Sequence, residues 1–124
     1  MSRAYVDEHT EELTENFPNT YTFTKSMAER VLKKRAGDMP IVLIRPTIVA
    51  ASWKEPMAGW IDTIAAAGGL TLAGTIGILN FVYTKYENIA DMVPVDICCN
   101  ATIVATAWAA YKRGFQLVHV GTSH

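Results

Sequence analysis

The run PIVLIRPTIV, residues 40–49, places four consecutive apolar residues, Ile41 to Ile44, directly ahead of an Arg45-Pro46 step. Apolar and polar residues alternate in a strand with one wet face. An unbroken apolar run of this length marks a strand buried on both faces, as in parallel sheets. Proline removes a ladder donor and restricts the residue before it, so the strand is predicted over Ile41 to Ile44 and stops at Arg45-Pro46. FQLVHVG predicts a second such strand, Gln116 to Val120. Parallel strands need long crossovers, usually helical. A helix is predicted from Asn19 or Thr20, just after Pro18, to about Ala36, with Gly37 ending it. After the Arg45-Pro46 step, loop is predicted to about Pro56, then a helix from Gly59 to about Ala67. DMVPVD reads as a short strand or turn. VDICCNATIVATAWAAY reads as a long apolar helix ending near Gly114, with Asp96 capping its start. The order helix, strand, helix, helix, strand predicts part of an α/β parallel-sheet domain.

A chain of 124 residues with 50% hydrophobic and 19% charged residues is one globular domain at most. A net charge of −1 and a pI near 6.3 provide no field to gather nucleic acid, and the longest basic run is KKR, Lys33 to Arg35. Cys98 and Cys99 are adjacent within an apolar run, which predicts two buried thiols in a reducing compartment rather than a metal pair or an ordinary disulfide. His9, His119 and His124 are scattered, with no carboxylate or cysteine at metal-ligand spacing, so no metal site is predicted. The opening MSRAYVDEHTEELTENF is acidic and has no apolar core, which argues against a secretory signal. Ala65 to Val82 carries no charge and approaches the length of a membrane span. Its four glycines, with Thr71, Thr75 and Asn80, dilute the transfer energy and break helical continuity. A flexible apolar pocket wall is the reading adopted, with Leu72 and Ile78 as its candidate side chains.

Within PNTYTFTKSMAERVL, residues 18–32, a tyrosine stands four residues ahead of a lysine. At about 100° per residue, Tyr21, Lys25 and Leu32 fall within about 40° of one another on a helix. Phe23, Met27 and Val31 continue an apolar arc, so the pair is expected at the edge of a buried stripe. A phenol with a pKa of about 10 is a poor acid–base catalyst at neutral pH, and a cation one turn away stabilises its phenolate. The same spacing arises by chance on ordinary amphipathic helices, so its weight depends on the residues downstream.

Tyr-x-x-x-Lys, then a strand ending Arg-Pro-x-x-Val, then Pro-Val-Asp before a helix, resembles the second half of an extended short-chain dehydrogenase/reductase. PNTYTFTKSMAE, RPTIVAASWKEPMAGWID and DMVPVDICCNA are similar to the fatty acyl-CoA reductases, the male-sterility type of reductase domain. The resemblance runs from about Phe17 to the end and rests most on the SWKEP and GWID block. It implies a partial NAD(P)-binding reductase domain over residues 1–124. The fold implied is the C-terminal part of a Rossmann-like doubly wound parallel sheet, without the N-terminal dinucleotide-binding half. No strand in this sequence leads into a G-x-x-G-x-x-G turn to hold a pyrophosphate.

The activity implied is NADPH-dependent reduction of a long-chain fatty acyl-CoA, through an aldehyde, to a fatty alcohol. Tyr21 would exchange the proton at the carbonyl oxygen. Lys25 would support it and hold the nicotinamide ribose. The Pro46, Thr47, Ile48 and Val49 backbone would lie beside the nicotinamide carboxamide. Ser2, in a segment similar to the family's Ser-Thr-Ala-Tyr, would complete the polar triad. The resemblance places such an enzyme inside the cell, at peroxisomal or endoplasmic reticulum membranes. The competing reading is a non-catalytic remnant of the same fold, or the reductase domain of a carrier-linked thioester reductase.

Overall fold

The computed structural model describes Tyr5 and residues 8–123, the side chain of Leu13 apart. The chain divides into two compact units, Met1–Met39 and Pro40–His124. In the first, a five-residue helix α1, Thr10–Thr14, precedes the sixteen-residue α2, Thr20–Arg35. Asn19 caps α2 as its sequence position predicts: its side-chain oxygen accepts the Thr22 N–H at 2.9 Å. Lys33, Lys34 and Arg35 occupy the last turn, where the helix dipole favours cations. Gly37 follows at φ 53°. The edge of Phe17 meets the ring of Phe23, centroids 5.4 Å apart, across the start of the helix.

Among the described residues, the second unit holds two two-stranded parallel sheets. Strand β1, Ile41–Pro46, pairs with β4, Phe115–Val120, in register from Ile41 opposite Phe115 to Pro46 opposite Val120. Strand β2, Ile48–Ala50, pairs with β3, Met92–Pro94. The chain therefore changes partners at Thr47. Its N–H goes to the Val120 carbonyl at 2.9 Å, while the Ile48 N–H goes to the Asp91 carbonyl at 3.2 Å. This carries β1 two residues past its predicted end. Pro46 has no donor to give, and the bond that closes the ladder beyond it comes from Thr47 instead. The architecture is the α/β, partly Rossmann-like arrangement of parallel strands expected from the unbroken apolar runs.

Two helices complete the unit, α3, Ala67–Thr75, and α4, Val95–Ala109. The first corrects the sequence reading, which set a helix at Gly59 to Ala67 and took the glycine-rich run beyond it as broken. Residues 59–66 are turns and irregular chain. Gly68 and Gly69 begin the helix in close contact with the Thr63 and Ile64 carbonyls, at positions where a Cβ would collide with those oxygens. Glycine lowers helix propensity, but here it allows an approach that no other residue permits. No helix among the described residues is long and apolar enough to cross a membrane.

Helix α4 packs on β1, and a groove between them is lined by Val42, Ile44, Thr102 and Thr106. Side chains alternate along a strand, so Leu43 and its partner Leu117 lie on the other face, where Leu117 is 46% exposed. The outer face of α4 carries Ile103 and Val104, 67% and 68% exposed. Val93, in β3, is the fully buried large side chain of the unit. Cys98 is half-buried and Cys99 exposed, against the expectation of two buried thiols. With only two strands per sheet, the strands cannot enclose every face of α4. Burial and the neighbouring Cys99 and Asp96 push the Cys98 thiol above its ordinary pKa. Apolar surface of this kind drives association. Residues 1–124 alone are expected to elute from size-exclusion chromatography as oligomers or larger species; a monodisperse monomer would refute this.

Candidate active site

Tyr21 and Lys25 lie one turn apart on α2, as their spacing predicts. The Lys25 ammonium stands 5.4 Å from the centroid of the Tyr21 ring, within the range of a cation–π contact. Their surroundings differ from the expectation of a buried stripe. Tyr21 is 66% exposed, Met27, Val31 and Leu32 are all exposed, and no residue of α2 is buried. An apolar arc on a helix states what the face can bury, whereas burial itself requires a covering element. The phenol and the ammonium are thus presented outward.

Pro46, Thr47, Ile48 and Val49 form the junction of β1 and β2. A backbone that is to meet a carboxamide needs free donors, and only part of this segment has them. The Thr47 and Ile48 N–H groups are taken by the Val120 and Asp91 carbonyls, and proline has none. Successive residues of a parallel strand turn their backbone groups to opposite neighbours. Because Ile48 faces β3, the Val49 N–H points away from it. Val49 is the donor this segment can present to a ligand.

The junction is tied by the carboxylate of Asp91, a residue that sequence reasoning passed over. It accepts the Thr47 hydroxyl at 3.2 Å and, beyond β4, the Thr122 N–H at 2.9 Å and the Thr122 hydroxyl at 3.1 Å. The Ser123 hydroxyl donates to its second oxygen. That hydroxyl first, then the Thr122 N–H, hold the Asp91 pKa at about 2, down from 3.8. Gly121 allows the closure, since a Cβ there would meet Asp91 Oδ2 at 2.8 Å and the Thr47 methyl at 2.9 Å.

Asp96 has a different role from the cap it was expected to be. Helix α4 begins at Val95 with Pro94 in the cap position, and no side-chain hydrogen bond caps it. Asp96 falls in the first turn, where the helix dipole favours a carboxylate, and reaches across to the SWKEP loop. It accepts the N–H groups of Trp53, Lys54 and Glu55 at 3.0, 2.8 and 3.2 Å, besides that of Ile97 at 3.2 Å. The Trp53 and Lys54 amides, in that order, lower its pKa to about 2. The loop is closed from within by Ser52, which is 4% exposed and whose hydroxyl donates to the Met57 carbonyl. On its outer side the Lys54 ammonium lies 4.5 Å from the centre of the Trp53 ring system. The signal that would have found this clamp is the aspartate two residues after Pro94, which is two residues too late to cap.

Beyond Ala50 a cavity of about 530 Å³ opens between β2 and α3, with Ile61, Ile64, Gly68, Leu72 and Met92 among its walls. Part of the Ala65 to Val82 run is thus a pocket wall, as expected. Leu72 contributes to it, whereas Ile78 is 76% exposed and is not among its walls. Ser2 and His124 lie outside the described residues.

An NAD-binding family model described as "Male sterility protein" matches residues 1–102. The chain belongs to this family. It is 39% identical to fatty acyl-CoA reductase 1 of Xenopus laevis over 113 residues, 91% of this chain and 22% of that protein. It is 36% identical to fatty acyl-CoA reductase 2 of Bos taurus over 125 residues, 99% of this chain and 24% of that protein. Identity to the probable fatty acyl-CoA reductase 5 of Arabidopsis thaliana is 40% over 109 residues, 87% of this chain and 22% of that protein. The chain therefore spans less than a quarter of the length of these relatives. Within this male-sterility domain, the matched region contains α2, the β1–β2 junction, Asp91 and Asp96.

Both aspartates have depressed pKa values, so their contribution to stability is complete above 3.8 and is lost as pH falls towards 2. Asp91→Asn and Asp96→Asn should each flatten that acid limb. Hydrogen exchange separates the two: Asp96→Asn should speed exchange at Trp53, Lys54 and Glu55, and Asp91→Asn at Thr122. Unchanged protection at those amides would contradict the clamping roles of the two carboxylates.

Proposed function

We propose that this chain is part of a nicotinamide-dependent reductase acting on fatty acyl-CoA, with NADPH as the cofactor and a fatty alcohol as the product. The observation that carries the reading is the Lys25 ammonium standing over the Tyr21 ring on an outward-facing turn of α2. The Val49 N–H, turned away from its own ladder, is suited to the carboxamide of a nicotinamide, and the Lys25 ammonium is of the kind that holds a nicotinamide ribose. Pro46, Thr47 and Ile48 set the position of that donor. When bound, the nicotinamide supplies hydride to the substrate's carbonyl carbon.

Tyr21 donates its phenolic proton to the carbonyl oxygen as negative charge develops there, and Lys25 stabilises the phenolate that remains. Ser2 is proposed as the polar partner of the same oxygen. Reduction of a thioester in this way leaves a hemithioacetal, which collapses to an aldehyde by expelling the CoA thiolate while its hydroxyl returns the proton to the Tyr21 phenolate. A second NADPH, exchanged for the oxidised nucleotide, would supply the hydride for the aldehyde, and Tyr21 would again give the proton that makes the alcohol. The names of the relatives at 36–40% identity support the thioester as substrate.

The pair is tested by placing residues 1–124 in the aligned segment of the Xenopus laevis relative and assaying alcohol formation. Tyr21→Phe should cost at least the ~10²-fold typical of a lost general acid, with the fold intact. Lys25→Ala should slow turnover and raise the KM for NADPH. Near-normal alcohol formation by Tyr21→Phe would defeat the assignment.

A separate titration concerns the chain alone, whose sequence has no G-x-x-G-x-x-G turn following a strand. Calorimetry with NADPH is expected to show no saturable binding. Micromolar saturation would place the pyrophosphate site within these residues.

A further inference from the structure

We propose that the cavity between β2 and α3 receives the acyl chain of the substrate, and that Leu72 sets the length of chain it accepts. The inference rests on the reductase reading for the identity of the reacting group, and on the cavity's own chemistry for the tail.

At about 530 Å³ the cavity has the size of a small-molecule site, roughly 300–1,000 Å³ in general. No charged side chain among the described residues lines it. Its three hydroxyls are engaged by the backbone: Thr71 Oγ1 donates to the Ala67 carbonyl at 2.9 Å, Thr75 Oγ1 donates to the Thr71 carbonyl at 2.8 Å, and Thr63 Oγ1 accepts the Ala65 N–H at 3.2 Å. An ionic or strongly hydrogen-bonding ligand would leave its polar groups without partners there, while an alkyl chain loses nothing. Met92 supplies an adaptable wall for a chain that has many conformers.

The position of the cavity is as informative as its chemistry. Ala50 lines it and directly follows Val49, the donor proposed for the carboxamide. A smaller cavity of about 120 Å³ contains Val49 and shares Ala50, Ile61 and Thr63 with the larger one. Asp62 also lines that smaller space, which disfavours a carboxylate and suits an uncharged thioester or aldehyde. Head group and tail thus follow one wall of β2 in order.

Leu72 is the bulkiest α3 side chain in the lining and shares a helix face with Gly68, four residues earlier. Its volume is subtracted directly from the room available to a chain. The close seating of Gly68 and Gly69 on the Thr63 and Ile64 carbonyls fixes the helix that carries it.

The test uses the 124-residue chain and a hexadecanoyl-CoA bearing a diazirine at the end of its acyl chain. Photolysis should label residues between Ile61 and Thr75, hexadecanol should compete, and coenzyme A alone should not. Label confined to the groove between β1 and α4 would overturn the proposal. Competition by octanoyl-, dodecanoyl- and hexadecanoyl-CoA then reads the length preference. Leu72→Trp should lower the hexadecanoyl-to-dodecanoyl preference about tenfold, and Leu72→Ala should move it the other way. Ile78→Trp, at an exposed position outside the lining, should leave it unchanged. An unchanged preference in both Leu72 variants would also overturn the proposal. Label at the predicted residues with no reduction in the chimera keeps the pocket and removes the reductase reading. Reduction with label elsewhere does the opposite.

Discussion

The Asp91 carboxylate stands where one strand pair ends and the other begins. Thr47, Thr122 and Ser123 all donate to it, while its own backbone carbonyl accepts the Ile48 N–H. One residue therefore holds the Thr47 side chain where the β1–β4 ladder ends, starts the β2–β3 ladder and fixes the chain beyond β4. Without an acceptor of this capacity, the change of partner at Thr47 would leave several polar groups competing for few partners. The ionised carboxylate resolves the competition, and the lowered pKa is the electrostatic record of it. The direction of the Val49 N–H follows from this arrangement, as does the wall that Ala50 gives to the cavity.

Asp96 does for a loop what Asp91 does for strands. Three consecutive amides, Trp53 to Glu55, have no place in a ladder and would otherwise depend on water. A carboxylate in the first turn of α4 gathers them, and the positive end of the helix favours its charge. The loop so held returns through Gly59 and Trp60 to Ile61, and both Gly59 and Ile61 line the cavity.

The sequence made the strands legible because unbroken apolar runs have few explanations in a chain of this size. It made α2 legible through Asn19 and Gly37, which mark its ends by chemistry rather than by average propensity. It failed at α3, where AGGLTLAGT reads as a poor helix residue by residue. The glycines there serve a tertiary contact with Thr63 and Ile64 that no local rule contains. Asp96 differs from its expected role for a related reason: a carboxylate near a helix start has two uses, and a shift of two residues decides between them. Asp91 passed unnoticed because its donors, Thr47, Thr122 and Ser123, are distant in sequence. The spacing of Tyr21 and Lys25 was legible as geometry. The exposure of their helix face was not, since periodicity describes one helix and burial involves two surfaces.

That exposure bears on how the pair works. Two unit charges about 4 Å apart attract by about 1 kcal/mol in water, and by about 4 kcal/mol at an effective dielectric of ~20. An ammonium over a phenol ring on a wet surface can therefore do little for a phenolate. The same pair with water excluded gains severalfold in electrostatic strength without moving. On the reductase reading, a ligand that covered Tyr21 and Lys25 would be more than a reactant, since by excluding water it would complete the environment in which the phenol becomes an effective acid. Reactivity would then depend on occupancy, and part of the ligand's binding energy would be expressed as a faster proton transfer.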